Sequence, residues 1–143
     1  MKKMIVLPFF ITTSLLVMTL LGGEVSPFVD LSFDDALELA VERDKIVMVK
    51  FHADWCQWCR KMDKETFTDP HVQERLRLFI PIQVDVDDRQ GFNLAQRVGV
   101  SSLPTIVFFD TRGNVIGKYE GYQAPGEMAD ILARYVKSET VRE

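Results

Sequence analysis

The sequence contains little of several residue types that particular protein classes require. Only two of its 143 residues are cysteine and only two are histidine, which excludes a scaffold held together by several disulfides. Basic residues number 17 against 21 acidic ones, and the formal net charge is −4. Because an acidic surface repels a phosphate backbone, we expect no nucleic-acid partner. The chain has no internal repeat or low-complexity tract, and its length fits one domain with a sufficient core.

The first 23 residues differ from the rest in composition. Two lysines precede an uncharged apolar run, Met4 through Leu21, which two glycines follow. This order is typical of a secretory signal, and residues 4–23 are also long enough to span a bilayer as a membrane tether. No A-x-A-like cleavage site follows, so a signal peptide and an N-terminal membrane anchor both stay open for residues 1–23. In either case the basic end stays cytoplasmic, and we expect residues 24–143 to form one extracytoplasmic domain, periplasmic or secreted.

The two cysteines form a C-x-x-C pair, Cys56 and Cys59. A strand-like segment precedes them and a helix-favouring segment follows, which indicates a redox dithiol. The unpaired N–H groups of a first helical turn, and the positive end of the helix dipole, favour the thiolate that attacks disulfides. A structural bridge is the alternative, but it would close a tiny loop and constrain the unfolded chain little. Outside the cytoplasm, such a dithiol also needs a partner that reduces or reoxidises it.

The remaining sequence alternates between helical and strand patterns. The predicted order is α-β-α-α-β-α-β-β-α, which indicates an α/β sandwich with a mixed central sheet. The first strand is almost entirely apolar and should lie inside the sheet, whereas Pro81 indicates an edge position for the second. The predicted elements are a helix after the N-cap Ser32 to Arg43, a strand over 46–51, the dithiol helix, a helix from Pro70 to Leu76 after the N-cap Asp69, a strand over 79–86, a helix near 93–98, strands over 106–109 and 115–119, and a helix over 125–137.

Three sequence segments carry a resemblance to a known family. The run Ala-Asp-Trp-Cys-Gln-Trp-Cys-Arg-Lys-Met over 53–62, together with Leu-Pro-Thr over 103–105 and Gly121, resembles the thioredoxin superfamily. The segment 64–70 is similar to one branch, which includes the C-terminal periplasmic thioredoxin-like domain of DsbD-type thiol:disulfide interchange reductases. The resemblance covers about residues 30–137. It implies a thioredoxin-like three-layer α/β/α sandwich and a thiol-disulfide oxidoreductase. We also expect the protein to act as a monomer and to use no cofactor.

The resemblance also implies roles for individual residues. Cys56 would be the exposed nucleophile that attacks the disulfide of a protein substrate, and Cys59 would resolve the mixed disulfide. The peptide bond before Pro104 would be cis, and the adjoining backbone would pair with a substrate strand. Trp55 would shape the active-site surface, whereas Trp58 occupies the position that tunes redox potential and could restrict or recruit partners.

The direction of electron flow is inferred from the two residues between the cysteines. They lack the histidine of strongly oxidising relatives, which favours a reductase that exchanges electrons with a protein thiol/disulfide partner. A disulfide oxidase or isomerase is the second hypothesis. A non-enzymatic metal-binding or chaperone module is the third.

Two positions near the dithiol bear on proton transfer. The superfamily carries a buried aspartate six residues before the first cysteine, but here Lys50 stands at that position. Lys50 could lower the cysteine pKa and disfavour a proton acceptor there, or it could simply pair with an acid or reach solvent. Asp63, one helical turn after Cys59, is the candidate replacement acceptor, with a solvated helix residue as the alternative.

The histidines suggest a metal site at first sight, because with the cysteines they nominally make four ligands. His52 lies in a predicted strand and His71 in a separate predicted helix, and the spacing fits no known zinc pattern. We therefore expect no metal. Neither histidine is positioned to activate Cys56 as in a hydrolase.

Overall fold

The fold contains nine helices and strands within the part of the chain that the structure describes. This computed structural model describes residues 26–140, with side chains as far as 136. The predicted signal or anchor, residues 1–23, lies outside the described residues. Among those described, no helix is both long and apolar enough to cross a membrane. The elements are α1 (Phe33–Arg43), β1 (Val47–His52), α2 (Gln57–Glu65), α3 (Pro70–Leu76), β2 (Ile80–Asp85), α4 (Arg89–Arg97), β3 (Thr105–Phe109), β4 (Val115–Glu120) and α5 (Pro125–Thr140).

The order of elements is the predicted one, and two of the five described helices, α1 and α3, begin after the N-cap predicted for them. Ser32 accepts a hydrogen bond from the backbone N–H of Asp35 at the start of α1, and Asp69 caps the first turn of α3. Helix α4, however, begins four residues before the predicted Asn93. Its N-cap, Asp88, has an extended backbone and its side chain caps nothing. The prediction therefore missed the first four residues of the helix, 89–92, where Gly91 weakens the helical pattern.

The four strands form one mixed sheet in the order β2-β1-β3-β4. Strand β1 is parallel to β2 and antiparallel to β3, which in turn pairs antiparallel with β4. The inner position predicted for β1 is therefore confirmed. The edge position predicted from Pro81 is confirmed as well, because β2 is an outer strand. The carbonyl of Pro81 accepts a hydrogen bond from the Val29 N–H at 2.8 Å.

Helices cover both faces of the sheet and make three layers. Because side chains alternate along a strand, Met48 and Lys50 of β1 lie on one face and Val49 and Phe51 on the other. Helices α2, α3 and α5 pack on the Met48 face, and α1 and α4 pack on the other. The α/β/α sandwich is thereby confirmed. Lys50 is thus directed at α2, the helix that begins at the dithiol.

Candidate redox site

The dithiol lies where β1 passes into α2. The Cys56 N–H donates to the Ala53 carbonyl at 3.1 Å, which turns the chain after the strand. Cys56 is the N-cap of α2, and its Sγ accepts a hydrogen bond from the Cys59 N–H at 3.1 Å. The two sulfurs form a disulfide, with Cα atoms 5.3 Å apart. Cys56 is 6% exposed and Cys59 2%, so the exposed position that the resemblance implied for Cys56 is not observed in the disulfide form.

The loop before β3 lies at the same end of the sheet. Thr105, the first residue of β3, pairs with Phe51 near the end of β1. The Leu103–Pro104 peptide bond just before it is cis. The Pro104 carbonyl accepts a hydrogen bond from the Gly121 N–H at 2.8 Å. Gly121 has φ +84°, a conformation that favours glycine, and its backbone holds this loop beside the end of β4.

Two tryptophans flank the cysteines and remain exposed. Trp55 is 67% and Trp58 48% exposed. The indole N–H of Trp55 donates to the Asp87 carboxylate at 2.9 Å. The ring of Trp58 lies 5.9 Å from that of Tyr122, tilted by 50°. Sequence reasoning missed Asp87 and Tyr122, since each follows a strand distant in the chain and only the sheet brings it here.

Lys50 and Asp63 form an ion pair beneath the site. The Lys50 side chain is fully buried, and its ammonium donates a hydrogen bond to Asp63, whose side chain is 44% exposed. The ammonium also lies 5.3 Å from the Phe28 ring centroid and 5.6 Å from that of Phe67. Burial lowers the pKa of Lys50 below its ordinary value, and the hydrogen bond and charge of Asp63 oppose that shift. The two residues that the sequence singled out separately are therefore in contact.

Two further titratable residues, His52 and Asp54, lie near the site. Burial, followed by the charge of Lys50, lowers the pKa of His52, whereas nearby aspartates oppose the shift. The Asp54 carbonyl accepts a hydrogen bond from the Arg60 guanidinium. Within residues 26–140, no group of three or more histidine, cysteine or acidic side chains is arranged to hold a metal ion.

The arrangement defines a class of protein. A disulfide-forming C-x-x-C pair at a helix N-terminus, in a three-layer sandwich with a mixed sheet, is the site of a thiol-disulfide oxidoreductase. A family model described as a thioredoxin-like domain matches residues 33–136. The chain therefore belongs to the thioredoxin-like family, as the resemblance of its motifs implied.

Individual relatives agree with this assignment. The thiol:disulfide interchange protein DsbD of Vibrio vulnificus is 43% identical over 82 residues, which are 56% of this chain and 14% of that protein. This chain thus corresponds to a small part of that relative. A thioredoxin from Thermus thermophilus is 31% identical, with a TM-score of 0.67 over 73% of this chain and 83% of its own. The oxidised C-terminal domain of Neisseria meningitidis DsbD has a TM-score of 0.63 over 71% of this chain and 90% of its own; at 22% identity it shows the shared fold alone.

Proposed function

We propose that this protein is an extracytoplasmic disulfide reductase that passes electrons from a protein dithiol to the disulfides of other proteins. The observation that carries the proposal is the recessed Cys56–Cys59 disulfide at the N-terminus of α2. The similarity to DsbD, a thiol:disulfide interchange protein, supports it. The direction rests on the pair between the cysteines, which lacks histidine. The working unit is a monomer that needs neither metal nor organic cofactor.

The reaction begins from the reduced dithiol. The Cys56 thiolate attacks one sulfur of a substrate disulfide; the substrate S–S bond breaks, and the departing sulfur takes a proton. Cys59 then loses its proton and attacks the Cys56 sulfur, which releases the second substrate thiol and forms the Cys56–Cys59 disulfide. Two electrons have moved to the substrate. A protein dithiol then reduces the Cys56–Cys59 disulfide by the same thiol–disulfide exchange.

Four further residues support this exchange. Asp63 accepts the proton that Cys59 gives up, and Lys50 holds that carboxylate in position while its charge favours the thiolate. The backbone before Pro104 pairs with the extended substrate segment. Trp55, fixed by its hydrogen bond to Asp87, shapes the surface on which that segment lies.

The location is inferred from the N-terminal sequence. Residues 1–23 combine two lysines with a long apolar run, and they act as a signal peptide or as a membrane tether through residues 4–23. Fractionation of a bacterial host that expresses the full chain tests this point. Recovery of the protein in the cytoplasm would contradict it.

The activity is tested with the purified chain and insulin as a disulfide substrate. The wild-type protein should accelerate insulin reduction by dithiothreitol, and Cys56→Ser should abolish the acceleration. Cys59→Ala should accumulate a mixed disulfide, which identifies the substrates it traps. A reduction potential well above about −200 mV would favour an oxidase or isomerase instead. A Cys56→Ser protein that worked at the wild-type rate would refute the redox proposal as a whole.

A further inference from the structure

Exposed aromatic side chains stand next to the buried cysteines in the sequence. Because Cys56 and Cys59 are almost fully buried, a substrate sulfur must descend to them, and the residues beside the substrate cysteine must then contact the rim. Trp55 and Trp58 are the exposed large apolar side chains next to the cysteines in sequence. The side chains that flank a substrate cysteine are therefore expected to contact these two tryptophans.

The side of the rim formed by Trp58 and Tyr122 is held in place from several directions. We call these two rings the Trp58–Tyr122 surface. The Tyr122 hydroxyl donates to the Glu65 carboxylate at 2.7 Å. The Lys61 ammonium lies 5.1 Å from the Trp58 centroid and 4.9 Å from the Tyr122 centroid. Tyr122 also packs against the core cluster beneath it, so its ring offers a fixed face to a substrate.

Hydrogen bonding next to Tyr122 adds to this rigidity. The buried Thr66 hydroxyl, just after α2, donates to the Gln123 carbonyl at 2.6 Å. The loop that carries Tyr122 is thus tied both to α2 and, through Gly121, to the carbonyl of Pro104. These contacts order the Trp58–Tyr122 surface before a substrate arrives. Because its side chains are already ordered, the surface loses little side-chain entropy when it binds a substrate.

The charges of the surface indicate which substrates it suits. Lys61 is the cation of this cluster, and Glu65 lies 3.9 Å from its ammonium. The two rings also lie within cation–π distance of that ammonium. With its charge compensated in this way, Lys61 attracts an acidic flanking residue little. The remaining feature is exposed aromatic area, which favours contact with apolar or aromatic groups.

We propose that the Trp58–Tyr122 surface selects substrate disulfides whose cysteine is flanked by an aromatic or large aliphatic residue. The ligand is an extended segment of a disulfide-bonded polypeptide. Its sulfur contacts Cys56 while its flanking side chain lies on the rings of Trp58 and Tyr122. This assignment rests on the reductase function proposed above and specifies its substrate class.

Single-turnover reduction of three disulfides by the pre-reduced full chain tests the proposal. Two are disulfide-linked dimers of short peptides that differ only in a phenylalanine or a glycine next to the cysteine, and the third is 2-hydroxyethyl disulfide. We expect the phenylalanine peptide to react about tenfold faster than the glycine peptide, a ratio typical of modest hydrophobic selectivity. In Trp58→Ala and Tyr122→Leu that ratio should approach one; the rate with 2-hydroxyethyl disulfide, which has no flanking side chain, is measured in each variant and corrects both peptide rates for any change in the reactivity of the dithiol.

Leu78→Ala is the matched control. Leu78 is 49% exposed, and it precedes β2 at the end of the sheet opposite the dithiol, because β1 and β2 are parallel. This variant should keep the wild-type ratio. Equal rates for both peptides with the wild-type protein would overturn the inference but leave the reductase function intact.

Two other outcomes also decide the matter. If Trp58→Ala slows all three disulfides equally and shifts the reduction potential, Trp58 tunes the dithiol and does not select substrates. If the wild-type protein reduces none of them, the reductase function fails and the inference fails with it.

Discussion

Replacing the acidic partner of Lys50 tests how the protein tolerates a buried cation. In Asp63→Asn the side chain keeps its shape and an oxygen acceptor but loses its charge. The Lys50 ammonium would then be fully buried with no carboxylate partner, because the amide oxygen left at position 63, the Gln83 amide oxygen at 3.5 Å and two aromatic rings carry no negative charge. Lys50→Met is the converse change, since it removes the buried charge and leaves Asp63 at a half-exposed position.

We expect Asp63→Asn and Lys50→Met to change the free energy of unfolding by different amounts, because only the first leaves a buried charge without its partner. Breaking a fully buried ion pair costs about 3–5 kcal/mol, but water at the exposed side of Asp63 reduces that penalty. We expect Asp63→Asn to lower the free energy of unfolding by about 2 kcal/mol, which for a domain of this size lowers Tm by roughly 8 °C. Lys50→Met should change it by less than about 1 kcal/mol, or stabilise the fold, because an apolar side chain suits this site.

The pH dependence follows from the lowered pKa of Lys50. Between that lowered value and the ordinary value of 10.5, the unfolded chain binds more protons than the folded one. Stability therefore rises with pH across this window. Asp63→Asn removes the hydrogen bond and the charge that raise the Lys50 pKa, so the free energy of unfolding should begin to increase at a lower pH. In Lys50→Met the part of this increase that comes from Lys50 should be absent.

Urea unfolding of the two variants and the wild type, at a series of pH values from about 6 to 10, provides the measurement. Both variants should keep the wild-type far-ultraviolet circular dichroism, which controls for a change of fold. If Lys50→Met were the more destabilising change at pH 7, the reasoning about desolvation would be refuted.

Three further predictions concern the scaffold. Gly91→Ala should destabilise by roughly 2–4 kcal/mol, because its Cβ would lie 1.9 Å from the Asp85 carbonyl oxygen; in Gly126→Ala the Cβ meets open space, and a gain of about 0.5–1 kcal/mol is expected. Asp69→Ala should cost about 1 kcal/mol, since its carboxylate accepts two backbone N–H groups at the start of α3. Thr66→Val should cost roughly 0.5–1.5 kcal/mol, because the part-buried Gln123 carbonyl loses the hydroxyl donor of the buried Thr66. Urea unfolding measures each, and an unchanged midpoint in Gly91→Ala, Asp69→Ala or Thr66→Val would contradict the corresponding contact.

Local sequence patterns predicted the helices and strands of this fold well, because helix and strand formation depends largely on residues that are close together in the sequence. The alternation of helical and strand patterns, the N-caps at Ser32 and Asp69 and the apolar β1 depend on residues within a few positions of one another. The start of α4 was placed too late although Asp88 is of a residue type that commonly caps helices. Gly91 lies in the first turn of this helix, and glycine weakens a helical pattern.

The candidate site was predictable only in part. The cysteine spacing indicated the dithiol, and Asp63 was expected near Cys59 because both lie on one helix. The contact between Lys50 and Asp63 was not predicted, since it depends on which face of β1 packs against α2. Asp87 and Tyr122 were missed entirely, because neither belongs to a recognisable motif.

The sequence by itself determined the chemistry of this protein, because two cysteines at a strand-to-helix junction have few other uses. It also determined the order of elements, through periodicity and capping that act over a few residues. Only the tertiary structure decided what surrounds the sulfurs. The sheet register brings Asp87 to Trp55 and Tyr122 to Trp58, and it buries Lys50 against Asp63. Those contacts join residues far apart in the chain, and packing between whole elements decides them.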